Sequence, residues 1–307
     1  LQTIGWRHAE PAMRSLVLGL LDFGADQRVN KYAFADQTFS SNLEFAREMM
    51  KKGADGRVPV KWRYEWIQPG SRPEQVRELL VNMRKLEPQA CCRLVGDQLG
   101  KGAYRAQTVW DAVHLMAGEL MMRQPGIYGI HTVTSANALH YAYQSAAFPM
   151  TRLLLALQAV GWMVQFREFM ATARGGLKKA DIFKPPGQPE KNLGKVSGGR
   201  EVAEILARVG SDTVAASSAA HRLALRAAGE KRPDWLDAFA GSARQLIARK
   251  ATDAHHYKYG MAIFENLDLV SPAYRPHMMA TAPYYIRGSG DADATVVTQA
   301  LEAMGAK

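Results

Sequence analysis

The residues of this chain best suited to chemistry are its histidines: His8, His114, His131, His140, His221, His255, His256 and His277. An imidazole titrates near neutrality, so it can move protons, and its unprotonated nitrogen ligates transition metals. Two of the eight follow an aspartate by three residues, Asp111 with His114 and Asp253 with His256. On a helix such a spacing puts both side chains on one face, so each pair could offer a carboxylate and an imidazole to a shared centre. Carboxylate-bridged di-iron bundles use pairs of this kind, usually with Glu, and draw further carboxylates from other helices. Here Glu10, Glu119 and Glu265 are the candidates for that supporting role. The expected metal ligands are His114, His131, His255, His256, Asp253 and Glu265, for iron or another transition metal.

Three segments concentrate these groups. In DAHHYKYGMAIFE, taken as a helix, His255, Lys258, Ala262 and Glu265 fall on one narrow face, with Tyr257 and Phe264 on the other side. That stripe fits a polar pocket, and equally a surface helix with a satisfied Lys–Glu face. In GIHTVTSANALHY, His131, Thr134, Ser135 and Ala138 share a face of small and polar side chains, while Asn137, His140, Tyr141 and Gln144 share another. Small residues permit close helix contact or leave room for a ligand. In WRHAEPAMRSLVLGLLDFG, Pro11 marks a first helical turn, Glu10 is placed to cap it, and His8 lies at the N-terminus, where the helix dipole favours a neutral imidazole.

The elements that must position these residues are almost all helical. Apolar residues recur at helical spacing over 12–23, 42–50, 73–83, 104–122, 134–147, 150–172, 201–209, 213–228, 233–249, 253–267, 272–286 and 294–304. Ser71 and Pro73 supply start signals for the third of these. Only 58–66 alternates with period two, with Val58, Val60, Trp62, Tyr64 and Trp66 on one side, which predicts a short extended arm without a partner strand. The expected fold is all-α, a large multi-helix bundle. Residues 183–199 (FKPPGQPEKNLGKVSGG) lack apolar periodicity and divide an N-terminal helical part, 1–182, from a C-terminal one, 200–307, within one compact fold.

Composition narrows the class. The chain has 307 residues, 47% apolar and 22% charged, the make-up of an ordinary globular protein. No run of apolar residues is long enough for a membrane helix. The formal net charge is +10, but the Lys and Arg residues are dispersed and not interleaved with aromatics, so nucleic acid is not the expected partner. Adjacent Cys91 and Cys92 read as two ordinary thiols of a reducing compartment. The expected location is cytoplasmic, with room for a removed N-terminal segment before Leu1. No G-x-G-x-x-G after a strand, G-x-x-x-x-G-K-[ST], G-x-S-x-G or H-E-x-x-H is present, which argues against nucleotide-cofactor folds and α/β-hydrolases.

Three segments together resemble the questin oxidase-like family: RHAEPAMRSLVLGLLDFG, IHTVTSANALHYAY and DAHHYKYGMAIFENLDLVSPAYRPHMMATAPYY. They are similar in order to that family's His-containing first helix, its central H-x-V-T segment and its late H-x-x-K helix. The long Pro-rich loop and the central small-residue stretch have no counterpart in the resemblance. What it implies is an all-α oxidoreductase, whose characterised relatives open a ring of a polycyclic aromatic ketone by Baeyer–Villiger-like oxygen insertion. Carried onto this chain, it points to His8, His131, His255 and Lys258 as catalytic residues.

The expected function is an oxygenase-type oxidoreductase, a monooxygenase acting on an aromatic or other hydrophobic small molecule with dioxygen. Oxygen would be activated at a histidine-bound metal, or a histidine would deprotonate a phenolic substrate that reacts with dioxygen itself. Lys258 or Arg7 would stabilise the resulting oxyanion. Trp62, Trp66, Tyr141 and Trp162 are candidates for an aromatic pocket wall. Two competing expectations are a haem- or ligand-binding helical protein, with His131, His140 or His255 as axial ligand, and a non-catalytic scaffold whose histidines are structural. A homo-oligomer is compatible with all three.

Overall fold

A helix that is apolar all round cannot face water, and the stretch AQTVWDAVHLMAGELMMR has no polar side. In the computed structural model, which describes residues 5–10, 13–14, 16–18, 38–51, 57–173, 175–184 and 198–305, it becomes the central helix. The described residues are about three quarters helical, with no strand or sheet. The α-helices are α1 (Phe39–Met49), α2 (Pro73–Met83), α3 (Pro88–Gly100), α4 (Ala106–Arg123), α5 (Ile127–Ser145), α6 (Pro149–Thr172), α7 (Gly198–Arg208), α8 (Thr213–Gly229), α9 (Asp234–Lys250), α10 (Ala254–Leu269), α11 (Arg275–Thr281) and α12 (Thr295–Ala303). The protein is an all-α bundle. The amphipathic stretch expected over 12–23 lies mostly outside the described residues.

The central helix is α4, buried from Thr108 through Met122. Around it pack α2, α5, α6 and α11; α10 lies against α5, and α8 against α11. Residues on both sides of the 183–199 segment therefore meet in the core. Close approach is built in by small residues. A Cβ on Gly129 of α5 would come within 2.6 Å of the Met121 sulfur, and one on Gly161 of α6 within 2.8 Å of Thr38 Oγ1. Thr132 Oγ1 donates to the Ala117 carbonyl at 2.9 Å, tying α5 to α4.

The extended arm expected at 58–66 is instead a π-helical turn over Lys61–Glu65. Two tryptophans four residues apart share a face in a strand and on a helix alike, but in a strand the residues between them at two-residue spacing would share that face too. Trp62 and Trp66 are buried, whereas Val60 and Tyr64 stay 51% and 57% exposed, so burial follows helical spacing rather than alternation. The Trp66 indole donates to the Trp62 carbonyl at 3.0 Å, and the Trp66 carbonyl accepts the Ala106 N–H at 2.8 Å, fixing the start of α4. Helix α3, with Cys91, Cys92, Val95 and Leu99 inward, lies in a stretch where no helix was expected. Both thiols are free, and burial pushes each up to about 12, so neither is a thiolate at neutral pH. Helix α2 starts at Pro73 with Arg72, not Ser71, as its N-cap.

One ion pair anchors the core. Glu119 on α4 is 1% exposed and takes a bidentate contact from Arg84, Nε to Oε1 at 3.0 Å and Nη2 to Oε2. The Ile182 N–H adds a bond to Oε2 at 3.1 Å, and Asp181 takes the same Arg84 Nη2 at 2.9 Å. Removing one partner of a buried pair strands the other charge. Arg84→Met should lower unfolding free energy by about 3 kcal/mol in urea denaturation, and adding Glu119→Gln should restore part of it. An unchanged midpoint in the single variant would show that Arg123, 3.7 Å from Glu119, suffices.

Candidate functional site

Helices α5 and α6 face each other through rows of side chains spaced three and four apart. Tyr128, His131 and Ser135 project from α5, and Trp162, Phe166 and Phe169 from α6. Such spacing keeps each row on one helix face, and the two rows enclose a cleft of about 430 Å³. Its aromatic walls are interlocked edge to face, Tyr128 on Phe169 at 4.9 Å and 84°, Trp162 on Phe166 at 5.0 Å and 75°. The lining is apolar except for His131, Ser135 and the Tyr128 hydroxyl. That is the make-up of a small-molecule site, a hydrophobic slot with a few polar groups to orient the occupant.

His131 is half-buried, and its ring meets that of His255, on the first turn of α10, edge to face at 5.7 Å and 86°. Burial lowers the His131 pKa, and the Lys258 ammonium and His255 lower it further. The imidazole is therefore unprotonated at neutral pH, the form a general base requires. Lys258 is exposed at the same end of α10. Three of the four residues expected to be catalytic, His131, His255 and Lys258, thus lie together beside the cleft. His8 ends a short 3-10 turn, Trp6–His8, and its side chain lies outside the described residues.

The six expected metal ligands do not share a centre. Asp111 and His114 both lie on α4, but Asp111 accepts from Ser271 N at 2.8 Å, Ser271 Oγ at 2.6 Å and Gln107 Nε2 at 2.9 Å. His114 turns instead to His140, Nε2 to Nδ1 at 2.8 Å. Asp253 is the N-cap of α10, accepting from His255 N at 2.7 Å and His256 N at 3.4 Å. Its carboxylate also lies 3.4 Å from His255 Nδ1 and 3.5 Å from His256 Nδ1. His256 stacks on Tyr285 at 4.9 Å and 18°. Glu265 accepts from Asn137 Nδ2 at 3.1 Å. Among the described residues no three His, Cys, Asp or Glu side chains group to hold a metal ion. Iron in the manner of a di-iron bundle therefore finds no matching donor set among them.

Of the expected aromatic wall, only Trp162 lines the cleft. Trp62 and Trp66 are core residues, and Tyr141 is 66% exposed. Tyr128, Phe166 and Phe169 were not anticipated, although the aromatic run Trp162, Phe166, Phe169 carries the spacing that marks one helix face. The His114–His140 pair was also unforeseen. It is held by stacking of His140 on Trp110, 4.2 Å apart and 4° from parallel. His114 Nδ1 is buried without a partner. Donation from His114 Nε2 to His140 Nδ1 leaves a bare acceptor there, whereas the reverse would strand an N–H donor, so the first assignment is the cheaper one.

Comparison with protein-family models, curated proteins and solved structures finds no match for this chain. Among the described residues no helix is long and apolar enough to cross a membrane.

Burial holds the pKa of His140 down to about 4 and that of His114 well below its ordinary 6.5, with mutual repulsion adding to the effect on His114. A depressed folded-state pKa means that the unfolded chain binds more protons. The stability these residues contribute is complete above about pH 6.5 and is lost as pH falls toward 4. Unfolding free energies from urea titrations should be flat from pH 7.5 to about 6.5 and then fall by up to about 1.4 kcal/mol per pH unit for each such histidine down to pH 4.5. The slope should shrink in His140→Asn. A flat profile between pH 6.5 and 5 would show that the pair is protonated in the folded chain.

Proposed function

We propose that this chain is an oxygenase-type enzyme acting on a planar aromatic or similarly apolar small molecule with an acidic C–H or O–H group. The observation that carries the reading is His131: a neutral imidazole at the polar edge of an aromatic-walled cleft, beside His255 and Lys258. The resemblance to questin oxidase-like proteins supports the same substrate class.

The substrate ring stacks between Trp162, Phe166, Phe169 and Tyr128, which pays for its desolvation. His131 takes the acidic proton, leaving an anion whose charge the Lys258 ammonium stabilises as it builds on oxygen. The substrate carbon then gives two electrons to dioxygen and a C–O bond forms. The oxygen is reduced to the peroxide level, and the imidazolium returns its proton to give a hydroperoxide, so that RH and O₂ become ROOH. Where a carbonyl adjoins the peroxidised carbon, the distal peroxide oxygen adds to it, and the four-membered ring so formed breaks its O–O bond and the C–C bond it spans, opening the substrate ring to a ketone and a carboxylic acid that keep both oxygen atoms. The sequence needs no reductant, and none of its steps passes through a metal, since the expected ligands do not converge.

Anthrone, a polycyclic aromatic ketone with an acidic C–H, is a suitable probe. It should quench Trp162 fluorescence, with the signal lost in Trp162→Phe, and should drive oxygen uptake above its background autoxidation. His131→Gln should cut the enzymatic uptake by about 100-fold while leaving the quenching constant within about threefold. Quenching without any uptake would leave a binding protein. Uptake unaffected by His131→Gln would remove the base from the mechanism.

A further inference from the structure

Ser135 lines the same cleft as His131, about one helical turn further along α5, and the reaction proposed above gives it no part. Serine and threonine on helices often turn the hydroxyl back onto a carbonyl three or four residues earlier. Several in this chain do so: Thr132 Oγ1 donates to the Gly129 carbonyl at 2.7 Å, Thr172 Oγ1 to that of Phe169 at 3.1 Å and Thr281 Oγ1 to that of His277 at 3.2 Å. Ser135 does not, and its hydroxyl makes no hydrogen bond to any described residue. The residue is half-buried, yet its oxygen is not among the unpartnered polar atoms closed to solvent, so the hydroxyl opens on the cleft.

The rest of the wall offers an occupant ring faces and edges. Trp162 is locked on Phe166 and Tyr128 on Phe169. Such a wall holds any flat apolar molecule and does not tell a hydrocarbon from a ketone; the few polar groups of a pocket do that. Lys258 stands exposed beside His131 and acts through its charge. A hydroxyl in the aromatic wall acts differently, because its bond is short and directional. An occupant with no acceptor at that point strips water from Ser135 and returns nothing, whereas one with an oxygen there replaces the lost bond.

We propose that Ser135 sets the specificity of the cleft by donating a hydrogen bond to a ring-bound oxygen of the occupant, which makes the substrate class an aromatic ketone and not an aromatic hydrocarbon. The inference rests on the reading of this cleft as the site of the reaction. On one helix face, residues four apart have Cβ atoms about 5–6 Å from each other. An occupant that meets both His131 and Ser135 therefore carries its acidic C–H and its oxygen at separate points of one conjugated ring system. As His131 removes the proton, the electron pair moves to that oxygen. The bond from Ser135 then strengthens, since its acceptor becomes anionic.

The test compares fluorenone with fluorene, one ring system with and without the carbonyl oxygen, by equilibrium dialysis against the full chain. Ser135→Ala should weaken fluorenone binding by about fivefold and leave that of fluorene within about twofold. Ser135→Thr, which keeps the hydroxyl, should retain the wild-type discrimination. Trp162→Ala, which removes part of the wall, should weaken both ligands alike. The carbonyl stretching band of bound fluorenone should lie at lower wavenumber in the wild-type chain than in Ser135→Ala or in an apolar solvent, a shift that a merely structural serine does not produce. Equal loss of both ligands in Ser135→Ala, loss of neither, or an unshifted carbonyl band would each overturn the assignment, and the cleft would stand as a binding site so long as Trp162→Ala weakens binding. Failure of both ligands to bind, or binding untouched by Trp162→Ala, would overturn the reading of the cleft and this assignment with it.

Discussion

The rest of the structure depends on the satisfaction of three polar groups inside a helix that has no polar face. Helix α4 carries Asp111, His114 and Glu119 fully into the core. Each would cost several kcal/mol unpartnered, so each must find its partner on a neighbouring element. Asp111 binds Ser271, just beyond α10; His114 binds His140 on α5; Glu119 binds Arg84, just beyond α2, and the Ile182 backbone. Apolar packing alone tolerates sliding by a turn. Hydrogen bonds of this kind do not, and together they set the register of the helices around α4.

The candidate site inherits that register. Helix α5 is pinned to α4 toward one end by His140 and toward the other by Thr132, whose hydroxyl reaches the Ala117 carbonyl. His131 is the neighbour of Thr132, so its direction, toward the α6 aromatics and His255 of α10, follows from the bond beside it. Asn137, one and a half turns on, donates to both Glu265 and Asn266 at 3.1 Å and fixes α10 against α5. His255 is then held against His131, with Asp253 capping the turn that carries it. The cleft thus rests on helices whose positions are set elsewhere, the support that a precise site needs.

Much of the fold was legible in the sequence. Long apolar periodic stretches gave most of the helices, because burial of one face is what they encode. Helix α3 escaped notice because its inward residues include two cysteines and Gly96, small groups that blur the periodic signal. The 58–66 segment misled because Trp62 and Trp66 fit both an alternating strand and a helical turn, and only packing separates the two. The site was legible in part. His131, His255 and Lys258 could be singled out by type and local pattern. The D-x-x-H spacing was real on α4 but told nothing of direction, since Asp111 and His114 face different partners. At Asp253 the aspartate stands before the helix, as a cap, where the shared-face argument does not apply. Contacts between residues far apart in the chain, His114 with His140 and His221 with His277, leave no mark in local spacing at all.

The net charge of +10 takes on a different meaning once these positions are known. Several of the basic residues stand beside imidazoles, Lys258 by His131, Arg222 by His221, Arg77 by His277 and Arg287 by His256. Burial is the larger force holding these histidines neutral, and the adjacent cations act in the same direction. Only where a carboxylate approaches, as Asp253 does at His256, is part of that effect offset. Burial and an adjacent cation thus hold His131, His221, His256 and His277 below the ordinary imidazole range. For His131 the consequence is an unprotonated imidazole at neutral pH, the condition the aromatic cleft requires of it.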